Sequence, residues 1–290
     1  MKKEIKQIIF EEFSALINNI ENDFKNNYIR KNYNFLLSQL DEEMTAHMVF
    51  VSSFESKSGN TIERCAKRIA ILRYGKENVP TIVNPHNLKH SIDENSINGQ
   101  IIITNIDIEN GELQGSIAKF RQDRIANGKG KNRKESQITH TTIKNLLDNN
   151  FINKYKDETI HTKPVDLAYY DPEENEWNIM ELKAGGDLDS SNAPSNVNKL
   201  LTEYVAMYTN NCKAYFSTLY HKDGEGNTWT GTVKKHLNYP SMFLIGSDFW
   251  NKILPQGINY EEFTKIYKEA LEEIDLNTRI KNMIKNCIIQ

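Results

Sequence analysis

The spacing of apolar residues changes from a helical to a strand-like pattern along the chain. In residues 1–75, apolar side chains recur every three to four positions, which predicts two or three amphipathic helices. Prolines and asparagines in 76–100 indicate a loop, and the apolar run at 100–104 predicts a short strand. The stretch 139–150 predicts a short helix.

From Pro164 onward the pattern predicts a hairpin, a helix and a further strand. The segments VDLAYY and WNIMELK flank a turn, DPEEN. Residues 195–208 have helical spacing, and the apolar run at 214–219 is typical of a buried strand. The order strand, helix, strand is typical of a crossover between parallel strands. A second apolar run, at 242–245, precedes further helical spacing at 263–274.

These elements predict one elaborated α/β domain over residues 1–290. We expect a helical N-terminal part at 1–75, a catalytic core at about 160–250 and C-terminal helices at 255–288. No repeat or low-complexity linker divides the sequence.

Charge and composition narrow the possible functions. The 290 residues carry 36 Lys and Arg against 39 Asp and Glu, a net charge of −3, so the surface as a whole does not favour non-specific polyanion binding. Three separated cysteines predict neither a disulfide framework nor a zinc site. No apolar run approaches the roughly 20 residues of a membrane span, and the first residues lack a signal-peptide core. We therefore expect a cytoplasmic protein without membrane contact.

One segment is strongly positive. The basic strip, residues 119–134, holds seven lysines and arginines and one acid. Phosphate contacts supply much of the affinity for DNA and require such side chains. The candidate DNA-binding residues in the strip are Lys129, Lys131, Arg133 and Lys134. The alternative is a solvated, flexible loop.

Two acids are expected to meet at one end of the predicted hairpin. If Asp166 begins one strand and Glu181 ends its antiparallel partner, both carboxylates reach the same end. Strand alternation places Glu181 and Lys183 on one face and directs Leu182 into the core. Two close carboxylates repel unless a cation lies between them, and oxygen ligands without His or Cys suit Mg²⁺. A lysine beside this metal can activate water, so the pattern predicts phosphodiester hydrolysis. The alternative is a surface ion pair in an ordinary hairpin.

The order Pro164-x-Asp166, hairpin, Glu181-Leu182-Lys183 and helix resembles the PD-(D/E)xK nuclease superfamily, specifically its type II restriction endonucleases. The resemblance covers about residues 160–220, and the extra residue between Pro164 and Asp166 departs from the family's adjacent Pro-Asp. It implies a restriction-endonuclease-like three-layer α/β/α fold with a mixed central sheet and added terminal helices. It also implies Asp166 and Glu181 as metal ligands, the main-chain carbonyl of Leu182 as a candidate further ligand, and Lys183 as the water-activating base.

A second candidate segment is the polar stretch 54–63, which predicts a loop entering a helix. Several restriction endonucleases are similar in donating a glutamate from an early helix, which makes Glu63 a candidate catalytic residue at the metal site. Lys57 and Ser58 would then contact phosphate. Alternatively, Asn60 and Glu63 form a capping box at the start of the helix, and the sequence leaves both interpretations open.

The polar segment 187–199 follows the predicted catalytic strand and is expected near the substrate. Asn side chains can read adenine, and Lys can read guanine. The candidate DNA contacts in this segment are Asn192, Asn196, Asn198 and Lys199. The alternative is that Ser195 or Asn196 caps the following helix.

The preferred function is a Mg²⁺-dependent, sequence-specific endonuclease of double-stranded DNA. The resemblance implies a homodimer on a near-palindromic site, and a cognate DNA methyltransferase in the same system without direct contact. Two alternatives remain open. One is a repair or mobile-element nuclease of the same superfamily, and the other is a non-catalytic DNA-binding protein with a decayed nuclease fold.

Overall fold

The computed structural model describes residues 1–37, 39–126, 137–184 and 192–288. The helices are α1 (Lys2–Asn32), α2 (Glu42–Tyr74), α3 (Gly111–Ala126), α4 (His140–Ile143), α5 (Asn149–Ile152), α6 (Asn192–Met207), α7 (Ser247–Ile253), α8 (Tyr260–Glu273) and α9 (Leu276–Ile288). The strands are β1 (Ile82–Val83), β2 (Gln100–Ile106), β3 (Lys156–Val165), β4 (Leu167–Asp171), β5 (Glu176–Lys183), β6 (Cys212–Thr218) and β7 (Phe243–Ile245).

The chain divides into two compact units. A helical unit comprises Met1–Ile69 and Pro255–Gln290, and a sheet unit comprises Ala70–Leu254. The single elaborated domain over residues 1–290 stays a prediction. In the described ranges, no helix is long and apolar enough to cross a membrane.

The helical unit is built around one apolar stripe of α1. Its buried side chains recur every three to four residues, from Ile5 to Tyr28, which places them on one helix face. Phe13 packs edge-on against Tyr267 of α8, with ring centroids 5.2 Å apart. The prediction of two or three amphipathic helices in residues 1–75 is therefore confirmed, and the helices are α1 and α2.

The prediction of a loop at 54–63 is wrong, because α2 continues through this segment. Gly59 lies inside the helix, where a glycine costs about 1 kcal/mol relative to alanine. The buried α2 side chains that follow, including Cys65, Ala66 and Ile69, supply packing that offsets this cost.

The described residues of the sheet unit form two mixed sheets. In the first, β1 pairs parallel with β2, and β2 pairs antiparallel with β3. In the second, β4 pairs antiparallel with β5, whereas β5–β6 and β6–β7 are parallel. The predicted hairpin and crossover are present as β4–β5 and β5–α6–β6. The mixed α/β fold class is thus confirmed, and the strands are divided between two sheets.

The two sheets meet where β3 passes into β4. Only Asp166 separates Val165, the last residue of β3, from Leu167, the first of β4. The buried Gln100 side chain links the sheets, because its Nε2 donates to the Ala168 carbonyl over 2.9 Å and its Oε1 accepts from the Ala168 N–H over 3.0 Å. Since Gln100 belongs to β2, its amide fixes the first sheet against the start of β4.

Helix α6 covers the second sheet with an apolar face. Val197, Leu200, Leu201, Tyr204 and Val205 are all fully buried, and they occupy the helical positions that the sequence predicts. The helix begins at Asn192, three residues earlier than expected. Ser195 and Asn196 therefore lie within the helix, and the interpretation that either caps its start is wrong.

Candidate active site

Asp166 is held at the junction of the two sheets by the backbone of β5. Its Oδ2 accepts a hydrogen bond from the Leu182 N–H over 2.8 Å. The β4–β5 register pairs Leu167 with Met180, so Asp166 comes level with Glu181 one step further along the antiparallel pair. The structure thus brings together the two acids that the sequence pairs.

Glu181 is a fully buried carboxylate beside two lysines. Its side chain is 0% exposed, and Lys183 Nζ lies 2.7 Å from its Oε1. Its other oxygen, Oε2, contacts Lys199 Nζ. Lys183 remains 33% exposed, so its ammonium is accessible from solvent while paired with Glu181.

Lys199 of α6 enters this acidic cluster, a position that sequence reasoning did not assign to it. Besides Glu181, its Nζ lies 3.2 Å from Asp166 Oδ1 and 3.8 Å from Glu203 Oε1. Lys199 was expected to read a base, but its ammonium instead faces protein carboxylates. This contact arises because α6 packs across the second sheet with Lys199 and Glu203 on one face, four residues apart.

Glu203 is a site residue that the sequence analysis missed. It is 0% exposed, and neither of its carboxylate oxygens accepts a hydrogen bond within the described ranges. A signal was present, since Glu203 interrupts the apolar run LLTEYVAM, and a charged residue is rarely buried without a partner.

Burial and mutual repulsion dominate the electrostatics of the cluster. Burial raises the pKa of Glu181, and the neighbouring Asp166 raises it further, against the opposing effect of Lys183 and Lys199. Burial also raises the pKa of Glu203 well above its ordinary value, and Glu181 adds to this effect. For Lys199, burial lowers the pKa, but Glu203, Asp166 and Glu181 outweigh it and leave the pKa raised. Glu181, Glu203 and the Lys199 ammonium therefore influence one another's pKa.

Few residues of the cluster could supply oxygen ligands to a cation. Among the described residues, no group of three or more His, Cys, Asp or Glu has the geometry of a metal site. The two carboxylates of Asp166 and Glu181, with the Leu182 carbonyl as candidate third ligand, make a sparse and hard donor set. Such a set fits Mg²⁺, which keeps several waters and needs only one or two carboxylates. The lysine that now contacts both carboxylates shows that this position attracts positive charge.

The candidate residues of α2 lie in the helical unit. Lys57 Nζ is 2.7 Å from Asp23 Oδ2 of α1, and Ser58 Oγ lies 3.4 Å from the Glu55 carbonyl oxygen of its own helix. Glu63 is half-buried. The capping-box interpretation is wrong, because Asn60 lies in the middle of α2 rather than at its start.

The remaining DNA-binding candidates fall on α6 or outside the described residues. Asn196 Nδ2 donates to the Asn192 carbonyl oxygen over 2.9 Å. The Asn198 Oδ1 accepts from Arg121 Nε over 2.8 Å, so one arginine of the basic strip is buried against α6. Lys129, Lys131, Arg133 and Lys134 lie outside the described residues.

The fold and the cluster together define a candidate nuclease, in which a mixed α/β scaffold presents acids and lysines at a sheet junction. The model of a family described as type II restriction endonuclease, HinfI, matches residues 1–270. The chain therefore belongs to the HinfI family of type II restriction endonucleases. No curated protein and no solved structure matches the chain.

Family membership confirms the predicted class of enzyme. A type II restriction endonuclease is a site-specific deoxyribonuclease, so DNA is the substrate, and divalent-metal use is general in this class. The restriction-endonuclease-like fold is confirmed with it. The two alternatives, a repair or mobile-element nuclease and a non-catalytic DNA-binding protein, do not share this support.

Proposed function

We propose that this protein is a Mg²⁺-dependent endonuclease of double-stranded DNA whose catalytic residues are Asp166, Glu181 and Lys183. The observation that carries the proposal is the meeting of the two acids at the junction of β3, β4 and β5, with Lys183 Nζ 2.7 Å from Glu181. Glu181 is a buried acid whose pKa is raised by its burial, and such acids are typical of functional sites.

Each of these residues has a distinct task in the proposed reaction. Asp166 is oriented by the Leu182 N–H, which bonds its Oδ2, so its other oxygen, Oδ1, keeps a fixed direction. Glu181 orients Lys183 through their ion pair. Lys183, partly exposed, holds the attacking water and compensates the charge that develops on the phosphate. A bound Mg²⁺ supplies Lewis-acid polarisation of the phosphoryl oxygen.

The proposal extends to the substrate and to the assembly. We assign phosphate contacts to Lys57, Ser58 and the strip residues Lys129, Lys131, Arg133 and Lys134. Base or backbone contacts are assigned to Asn192, Asn196 and Asn198 at the start of α6, and an auxiliary metal role to Glu63. A homodimer would place two sites across a two-fold DNA sequence, within a system that includes a cognate methyltransferase.

A lysine substitution with a matched control tests the catalytic assignment. Lys183→Met removes the ammonium beside Glu181, whereas Lys213→Met removes a comparable one. Lys213 pairs with Glu176 over 2.6 Å on the same sheet and is similarly exposed, at 38%. We expect Lys183→Met to slow single-turnover cleavage about 10²–10⁴-fold and Lys213→Met to leave it unchanged.

The assay is digestion of a defined DNA with Mg²⁺ or EDTA, followed by sequencing of the ends. DNA binding, measured with Ca²⁺ in place of Mg²⁺, should persist in both variants. Discrete ends that require a divalent ion would support the proposal. Wild-type cleavage rates in Lys183→Met, or fragments without a defined end sequence, would contradict it.

A further inference from the structure

The position of Lys199 goes beyond the proposed catalytic roles. Its Nζ contacts Glu181 Oε2 and lies 3.2 Å from Asp166 Oδ1. One ammonium thus contacts both of the carboxylates that are proposed to hold the metal. Lys183, by comparison, forms its ion pair with the other oxygen of Glu181, Oε1.

An ammonium and a divalent ion cannot share these oxygens without strong repulsion. Two positive charges about 4 Å apart in a partly buried site repel each other strongly, because the surrounding protein screens them less than water does. The same carboxylates, left without any cation, would also repel each other in a buried position. A lysine in this place therefore stabilises the metal-free protein and opposes metal entry.

Glu203 provides a second partner for the same ammonium. It is 3.8 Å from Lys199 Nζ, fully buried and four residues further along α6. Neither of its oxygens accepts a hydrogen bond within the part of the chain that the structure describes. Because the lysine side chain has four rotatable methylene bonds, a small rotation would move the ammonium from Asp166 and Glu181 to Glu203.

We propose that Lys199 is an internal counter-cation of Asp166 and Glu181 in the metal-free protein, and that a divalent ion displaces its ammonium toward Glu203. Lys199 and Glu203 are therefore positioning residues that set the metal affinity of the site. This inference rests on the proposed function, because it takes the two carboxylates as metal ligands.

Direct metal binding to the DNA-free protein tests the inference. Isothermal titration with Mg²⁺, and with Ca²⁺, would compare wild type with Lys199→Met and with the control Lys213→Met. If Lys199 competes with the metal, Lys199→Met should bind the ion about tenfold more tightly, equivalent to about 1.4 kcal/mol. Lys213→Met should stay within about twofold of wild type. Unchanged or weaker binding by Lys199→Met would overturn the inference.

Glu203→Gln gives a second test that does not depend on the folding of Lys199→Met. The amide removes the negative charge that would receive the displaced ammonium, so metal affinity should fall about fivefold. A general loss of negative charge would also weaken binding. The double variant Lys199→Met/Glu203→Gln separates the two causes, because Glu203→Gln should have no further effect once Lys199 is absent. An equal loss in both backgrounds would refute a role through Lys199.

The outcome also distinguishes this inference from the proposed function. A wild-type protein that binds the ion and cuts DNA, with a Lys199→Met variant that binds no more tightly, would overturn only the counter-cation role. Absence of metal binding in every variant would overturn both. Binding that appears only in Lys199→Met would support the inference and show that Lys199 alone blocks the site.

Discussion

Replacing Asp166 with asparagine removes one charge from the candidate site while keeping the bond that orients the side chain. The Asp166 Oδ2 accepts from the Leu182 N–H over 2.8 Å, and an amide oxygen can accept the same bond. The neighbouring Lys199, 3.2 Å from Asp166 Oδ1, still has Glu181 and Glu203 as partners. The backbone geometry of the junction should therefore survive.

The expected effects on stability and on cleavage differ widely in size. A hydrogen bond to a charged acceptor contributes about 1 kcal/mol more than a neutral one, so the free energy of unfolding should fall by about 1 kcal/mol. If Asp166 holds a metal ion as proposed, the substitution also removes several kcal/mol of transition-state stabilisation. A loss of 4 kcal/mol corresponds to about a 10³-fold slower reaction. Cleavage should thus fall far more than stability.

Asp171→Asn is the matched control, at the other end of β4. The Asp171 Oδ1 accepts from the N–H groups of Glu173 and Glu174, over 3.0 and 3.3 Å, so the change has a similar structural cost outside the site. Urea denaturation in EDTA and single-turnover cleavage with Mg²⁺ measure the two effects. Cleavage by Asp166→Asn within about tenfold of wild type, or an equal loss in Asp171→Asn, would refute the reasoning.

Three further predictions concern the scaffold. Burial lowers the pKa of His140 to about 4 in the folded protein. As the pH falls, His140 is therefore protonated in the unfolded chain before it is protonated in the folded protein. Stability should therefore decrease between about pH 6.5 and pH 4, by about 3 kcal/mol at most, and denaturation of His140→Gln should show a flatter profile. In α1, Ile17→Ala should lower the free energy of unfolding by about 2–5 kcal/mol, because Ile17 is buried. Ile29 is 41% exposed, so Ile29→Ala should lower it by less than about 1 kcal/mol. Equal losses in urea denaturation would contradict the packing of α1. Gln100→Leu leaves the Ala168 N–H and carbonyl without their side-chain partner, so the free energy of unfolding should fall by about 2–4 kcal/mol. Cleavage should also slow, because the link positions the start of β4. Full activity in this variant would argue against a role for the link.

The local sequence pattern was sufficient to predict the hairpin and the pairing of Asp166 with Glu181. Segments rich in apolar residues on both sides of DPEEN predict two strands and a tight connection, and the register then places Asp166 level with Glu181. Asp171 stabilises the turn through its own side chain, and Asn175 adopts a positive φ of 53°, as asparagine readily does. Every one of these determinants lies within about twenty residues.

Other elements were not predictable from local pattern. The strand β3 is a polar segment, KDETIHTKPV, with mostly exposed side chains, so it shows no apolar alternation, and its strand state depends on pairing with β2. Similarly, the polar stretch 54–63 resembles a loop by composition but is helical within α2. In both cases long-range packing outweighs intrinsic propensity.

The sequence by itself was sufficient to predict that Asp166 and Glu181 meet beside Lys183 and which class of chemistry follows. These features depend on residue type and on short separations along one hairpin. Only the tertiary structure decided that Lys199 and Glu203 join them, since α6 must first pack across the second sheet. The junction that holds Asp166 likewise requires β2 to supply Gln100 from more than sixty residues away. Proximity between distant segments follows from packing, which a single sequence does not display.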